Sequence, residues 1–133
     1  MTTVHSGSCL CGAVAYEVTG ELRNAVGCHC GQCRKTTGHY LAATAAKHDA
    51  FRLTRDEGLA WYRSSDTAKR GFCRICGSTL FWQGDGRDYI AIAAGSLDPP
   101  TGIRLEGHIF CDDKGDYYDI TDGGYQRPQW LAG

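Results

Sequence analysis

The sequence predicts a mainly β fold, and three observations predict it. Short runs rich in β-branched and aromatic residues recur along the chain, with Gly, Asp and Pro between them. Against only 3 prolines stand 18 glycines, a composition of many tight turns rather than of a disordered or collagen-like chain. Seven of the eight cysteines fall in three tight knuckles, each carrying a Cys-Gly step. The 133 residues suit one domain, expected to run over 1–133 around a single core that buries roughly two-thirds of the unfolded surface.

Residues 13–18, directly after the first knuckle, form the first predicted strand, ended by Thr19 and Gly20. Residues 30–37 are the one helical stretch, closed by Gly38. Further strands are expected at 40–44, 59–62, 79–82, 89–93 and 103–110, each bounded by turn residues. Six or more strands imply an all-β core.

Lys plus Arg number 14 and Asp plus Glu 15, so the chain lacks the basic excess of a nucleic-acid binder. The N-terminal residues show no charged leader or apolar segment, and no stretch approaches the ~18 apolar residues of a membrane span. A soluble, cytoplasmic protein with no nucleic-acid or membrane partner is expected. In a reducing compartment, dense cysteines point to metal binding rather than to disulfides.

The knuckles hold Cys9 and Cys11; Cys28, Cys30 and Cys33; and Cys73 and Cys76. A structural zinc takes about four ligands in a tetrahedron, so at least two knuckles must meet. If the first and third pair, Cys9, Cys11, Cys73 and Cys76 make a closed site. Cys28, Cys30 and Cys33 then keep an open fourth position, the pattern of catalytic zinc. Spacing alone does not exclude the alternative in which the middle knuckle joins Cys73 and Cys76, leaving Cys9 and Cys11 spare. Iron also accepts four thiolates, with zinc the favoured metal. Gly12, Gly31 and Gly77 are expected in left-handed backbone, turning amide N–H groups back toward sulfur.

Arg34, Lys35, Arg70 and Arg74 sit beside the knuckles, where they can grip a substrate carboxylate or simply offset thiolate charge. His29 lies between two candidate ligands; an outward-pointing side chain is the plain expectation, a proton carrier the functional one. His39 and His108 carry no assigned role. Cys111 is expected as a small buried hydrophobe on the strand through Ile109. Asp112, Asp113, Asp116, Asp119 and Asp122 have neither the spacing nor the closing Glu of a calcium loop, so they are expected in solvated loops. Trp61, Trp82, Trp130, Tyr16, Tyr62, Tyr89 and Tyr118 are expected as core and rim aromatics.

Cys9-Leu10-Cys11-Gly12, the run from Cys28 to Gly38, the run from Gly71 to Ser78, and the run from His108 to Lys114 together resemble the glutathione-dependent formaldehyde-activating enzyme family, also called the centromere protein V type. The resemblance covers about residues 6–120. It implies a small Mss4-like β-tent fold with zinc knuckles and two zinc ions per chain. It assigns a structural zinc to Cys9, Cys11, Cys73 and Cys76, and a catalytic zinc to Cys28, Cys30 and Cys33. The implied activity is a carbon-sulfur lyase that makes or cleaves S-hydroxymethylglutathione, with a small thiol such as glutathione and an aldehyde as partners. Arg34 and Lys35 are then the candidate contacts for the thiol's carboxylates. Nucleobase deamination is excluded, since the chain lacks the paired His-X-Glu and Pro-Cys-X-X-Cys motifs. The remaining alternative is a non-catalytic, zinc-stabilised binding module.

Overall fold

The computed structural model describes residues 3–130. In chain order its elements are β1 (Val4–Ser8), β2 (Ala15–Thr19), β3 (Ala25–Cys28), α1 (Gly31–Thr37), β4 (Leu41–Lys47), β5 (Phe51–Arg55), β6 (Leu59–Arg63), β7 (Ala68–Cys73), β8 (Thr79–Gly84), β9 (Tyr89–Ala93), β10 (Leu105–Ile109) and β11 (Tyr125–Gln126). Strand makes up 44% and helix 12% of the described residues, so the fold is mainly β.

Two sheets share the core. β1, β2 and β5 form a small antiparallel sheet in the order β1-β2-β5. The other eight strands form the sheet β11-β10-β3-β4-β9-β8-β7-β6, antiparallel except where β10 pairs in parallel with both β3 and β11. No helix among the described residues is long and apolar enough to cross a membrane.

Side chains alternate between the two faces of a strand, and register decides which face each residue joins. Ala43 lies opposite Ala93, Ala45 opposite Ala91 and Lys47 opposite Tyr89. Leu41, Ala43 and Ala45 of β4 therefore share a face with Tyr89, Ala91 and Ala93 of β9. The other face carries Ala46, Ile90 and Ile92, which are buried against Tyr16 and Val18 of the small sheet. Tyr16, Phe51 and Phe81 lock the sheets together: Phe81 meets Tyr16 and Phe51 edge-on with ring centroids 5.5 and 5.3 Å apart. Such pairs contribute about 0.5–1.5 kcal/mol each beyond area burial. The Tyr16 hydroxyl satisfies itself on Ser96 Oγ at 2.6 Å.

The predicted helix and strands are present, with shifted ends. Strand β2 starts at Ala15 rather than at residue 13, because Ala13 and Val14 still belong to the first knuckle: Cys9 N–H donates to the Val14 carbonyl and Gly58 N–H to that of Ala13. β1, β3, β5, β7 and β11 are additional. β3 is four residues hidden against a cysteine motif, and β7 is interrupted by Lys69, Arg70 and Gly71, so neither carries an apolar alternation. Helix α1 is capped by Cys30, and Gly38 ends it at φ 88°.

Three expectations are corrected. Gly31 is not left-handed; it opens α1, whereas Gly12 and Gly77 do adopt φ 83° and 81°. Cys111 is not on the strand through Ile109, because Phe110 turns the chain out at φ 55° and Cys111 begins a short 3-10 turn to Asp113. His29 does not point outward and is 1% exposed. It follows Cys28 out of β3, so alternation that puts one on the β4–β9 alanine face puts the other behind it.

Gly27 lies opposite His108 on β10 and Ala42 on β4. A Cβ there would come within 2.7 Å of His108 Nδ1 and 3.1 Å of the Tyr40 ring. Gly27→Ala is expected to destabilise the protein by about 1–3 kcal/mol through overpacking. Gly95→Ala, with nothing within 4 Å, should stay within about 0.5 kcal/mol. Urea denaturation of both variants checks the contrast.

Candidate metal centre

The two cysteine groups are assembled differently. Cys9 and Cys11 sit in the turn between β1 and β2; Cys73 ends β7 and Cys76 lies in the turn to β8. Their four Sγ atoms all lie within 4.8 Å of one another, with Cys9 to Cys11 and Cys11 to Cys73 both 3.7 Å apart. A tetrahedral ion with about 2.3 Å bonds to sulfur spaces its ligands by about 3.8 Å, so this donor set fits one. The loops are preformed. Gly77 N–H donates to the Cys73 carbonyl and Arg74 N–H to that of Gly58. Val14 N–H donates to Cys9 Sγ at 3.3 Å and Cys76 N–H to Cys73 Sγ at 3.5 Å. Ser78 braces both turns, accepting Leu10 N–H and pairing with Cys76 Sγ. That contact with Ser78 holds the Cys76 thiol down to about 5.

The second group is Cys28, Cys30 and Cys33, three sulfurs again within 4.8 Å of one another. It arises where β3 turns into α1. Cys30 is the N-cap, and its Sγ accepts from Cys33 N–H at 3.4 Å. Cys73 and Cys76 belong to the first group, so the alternative pairing of the middle knuckle is not the one adopted. Three thiolates this close cannot all be charged unaided. The Cys28 and Cys33 thiols hold Cys30 far below the ordinary thiol range, and sharing with Cys30 pushes Cys28 far above it. A divalent cation removes that conflict, since a coordinated thiol is deprotonated outright. Among the described residues no fourth His, Cys, Asp or Glu joins this group.

Arg70 faces this centre from β7. It is 6% exposed, and its Nη2 donates to Cys33 Sγ and to Gln32 Oε1, both at 3.4 Å. Its Nε and Nη1 are buried without an acceptor. Gln32 in turn donates to the Ser64 carbonyl, tying α1 to the β6–β7 turn. Arg34 is half-buried and Lys35 exposed on α1. Arg74 donates to the Glu57 carbonyl on the surface near the first group.

Behind the thiolates runs a hydrogen-bonded chain that no local motif announces. Tyr118 Oη lies 2.7 Å from His29 Nδ1, His29 Nε2 lies 2.8 Å from His108 Nδ1, and His108 Nε2 lies 2.7 Å from Asp122 Oδ2. One proton arrangement satisfies every member: Tyr118 O–H donates to His29, His29 Nε2–H to His108, and His108 Nε2–H to the Asp122 carboxylate. Burial and the neighbouring His108 push His29 down to about 4, and burial pushes Tyr118 up to about 12. Both are therefore neutral at physiological pH, as this arrangement requires. His39 joins the same cluster through Tyr117 at 2.8 Å. Asp122, expected as a solvated loop residue, is exposed yet paired; the other four aspartates of the run are exposed.

On the opposite side, the three cysteines open into a groove over the alanine face of the large sheet, also lined by Arg70, Trp82, Tyr89 and Trp130. Arg34, Lys35 and Cys111 do not line it. The pattern that marks it is Leu41-X-Ala43-X-Ala45 facing Ala91, apolar and mostly small residues at period two.

The chain is similar to known proteins over most of its length. A family model described as glutathione-dependent formaldehyde-activating enzyme matches residues 4–113. An uncharacterized lyase of the fission yeast Schizosaccharomyces pombe is 28% identical over 120 residues, which span 89% of this chain and 86% of that protein. A crystal structure of a Rhodobacter sphaeroides protein superposes with a TM-score of 0.62 at 30% identity, covering 77% of this chain and 98% of that one.

Elemental analysis of the purified protein is expected to find two metal equivalents per chain, falling to one in Cys33→Ser with little change in melting temperature. Cys76→Ser opens the site that joins the two sheets and should lower the melting temperature by roughly 10 °C or more; equal losses in the two variants would contradict this division. The hydrogen bond from His108 holds the Asp122 carboxyl below its usual range. Its stabilising contribution is thus present above the unfolded value near ~3.9 and fades as pH drops through the lower folded value. Asp122→Asn should give a shallower fall of melting temperature between pH 5 and about pH 2 than the native chain.

Proposed function

The chain belongs to the glutathione-dependent formaldehyde-activating enzyme family, and on that premise we propose that it is a zinc-dependent carbon-sulfur lyase acting on adducts of glutathione or a similar small thiol. The observation that carries the reading is the three-cysteine cluster: three sulfurs with room for one more ligand, at the mouth of a groove and beside a buried arginine. Cys9, Cys11, Cys73 and Cys76 hold the structural zinc in this reading, and Cys28, Cys30 and Cys33 the catalytic one.

A free thiol near ~8.5 is mostly protonated at neutral pH. Cys28, Cys30 and Cys33 would hold the zinc ion, which when bound would favour the thiolate form of a substrate sulfur. The protein's own groups do the rest. Arg70 places a positive charge on the thiolate cluster and so favours further negative charge at the reacting sulfur. Arg34 and Lys35, in the last turn of α1, take the carboxylates of the thiol outside the groove. In the cleavage direction the C–S bond breaks with its electron pair on sulfur, the hemithioacetal hydroxyl loses its proton, and its C–O bond becomes the carbonyl.

Exchange spectroscopy by NMR on glutathione and formaldehyde, with the spontaneous reaction subtracted, tests the reading. The native protein is expected to accelerate exchange at least about a hundredfold, and Cys33→Ser to abolish the acceleration. Replacing zinc by cobalt should give a visible spectrum that changes when glutathione is added. No acceleration together with no spectral response would leave the non-catalytic zinc module as the better description.

A further inference from the structure

Cys28, Cys30 and Cys33 open into a cavity of about 1240 Å³. Sites for drug-sized ligands occupy about 300–1,000 Å³, and formaldehyde adds a single carbon to its thiol. The floor beyond the thiolates therefore offers room for more than that single carbon. Its floor is the apolar set Val26, Leu41, Ala43, Ala45, Ala91 and Ile109, while charged side chains such as Arg23, Lys47, Asp88, Glu106 and Arg127 stand along its outer lining. Pairing sets Cys28 opposite both Leu41 and Ile109, Val26 opposite Ala43, and Ala45 opposite Ala91, so thiolates and floor form one continuous surface. Strand β4 follows it for about 20 Å.

None of these floor side chains can donate or accept a hydrogen bond. The peptide arms of a polar thiol would lose water there without compensation, whereas an apolar body gains from burial. A second, independent observation shows that a ligand belongs here. Arg70 lines the thiolate end, is 94% buried, and leaves Nε and Nη1 without an acceptor. A buried cation with unmet donors calls for negative charge beside it, which a substrate sulfur supplies as its C–S bond breaks.

Resting on the lyase reading above, we propose that the substrate is the adduct of a small thiol with a bulky, apolar aldehyde. The sulfur sits at the three cysteines beside Arg70, the apolar chain lies along β4 and β9, and the polar arms of the thiol stay outside over α1. Cleavage leaves the electron pair on sulfur, releases the hydroxyl proton to solvent and forms the aldehyde; the departing thiolate takes one proton back, and nothing is oxidised or reduced.

The test uses the zinc-loaded full chain with two glutathione hemithioacetals, one of formaldehyde and one of 3-phenylpropanal, followed by NMR exchange. In parallel, 3-phenylpropan-1-ol, which carries neither thiol nor aldehyde, is titrated against the amide spectrum. The expected kcat/KM is at least about tenfold higher for the phenylpropanal adduct, with alcohol-induced shifts concentrated in β3, β4 and β9. Ala45→Trp should pull that ratio toward one and remove the shifts. Ala91→Leu, a smaller addition to the same floor, should lower the ratio too and serves where Ala45→Trp fails to fold. Equal kcat/KM for both adducts and no amide shifts, with formaldehyde adduct still turned over, would overturn the substrate class and leave the lyase reading standing. Shifts without turnover of either adduct would instead remove the lyase reading, and the substrate assignment with it. A second copy covering the groove, seen as a dimer in sedimentation with no shifts, would also overturn it.

Discussion

Four sulfurs from two hairpin turns meet at one point, and through that point the small sheet is held to the large one. Cys9 and Cys11 come from the small sheet's first turn, Cys73 and Cys76 from a turn of the large sheet. Four thiolates within 4.8 Å would repel one another unless a cation took their charge, and with one bound they would become a crosslink that closes a long loop. The aromatic contact of Tyr16, Phe51 and Phe81 works at the same junction from the apolar side. The far face of the eight-stranded sheet carries a second, smaller buried cluster of Cys33, Leu41, Ala43 and Ala91, which forms the floor of the groove.

The middle knuckle exploits a change of backbone type. β3 delivers Cys28 to the groove face and His29 to the other, and α1 then begins with Cys30 as its cap and Cys33 one turn on. Strand alternation and helical spacing thus bring three sulfurs together on the groove side while sending the one intervening histidine behind the sheet. Each side of the knuckle has its own chemistry. The groove side has Arg70 as counter-charge; the rear side has a closed hydrogen-bonded chain from Tyr118 to Asp122. The chain leaves no unpaired buried nitrogen on either histidine, which is what allows two of them to sit at 1% exposure.

Small residues set the dimensions of both sides. Gly27 is the space in which the His29–His108 pair sits, since any Cβ would strike His108 and Tyr40. Ala43, Ala45 and Ala91 keep the opposite face hollow. Larger residues at these positions would fill the groove that the alanines leave between the thiolates and the sheet.

Much of the site was legible in the residues. Cysteine spacing is a local property, because ligands two or three residues apart must reach the same ion, and so the three knuckles, the helix capped after Cys30 and the strands at 89–93 and 59–62 could be read directly. The short, polar or glycine-broken strands β1, β3 and β7 could not, since they owe their existence to pairing partners rather than to their own pattern. Nor could the environment of Arg70, the burial of His29, or the departure of Cys111 from its strand at Phe110. By itself the sequence determined which atoms can bind metal and that they fall into sets of two, three and two. Only the tertiary structure decided which sets meet, what stands behind the open one and what lies in front of it. The physical reason is separation: Cys9 with Cys73, His29 with His108 and Cys33 with Arg70 stand 37 to 79 residues apart and are brought together by strand pairing and sheet packing, which are set by the whole rather than by any segment within it.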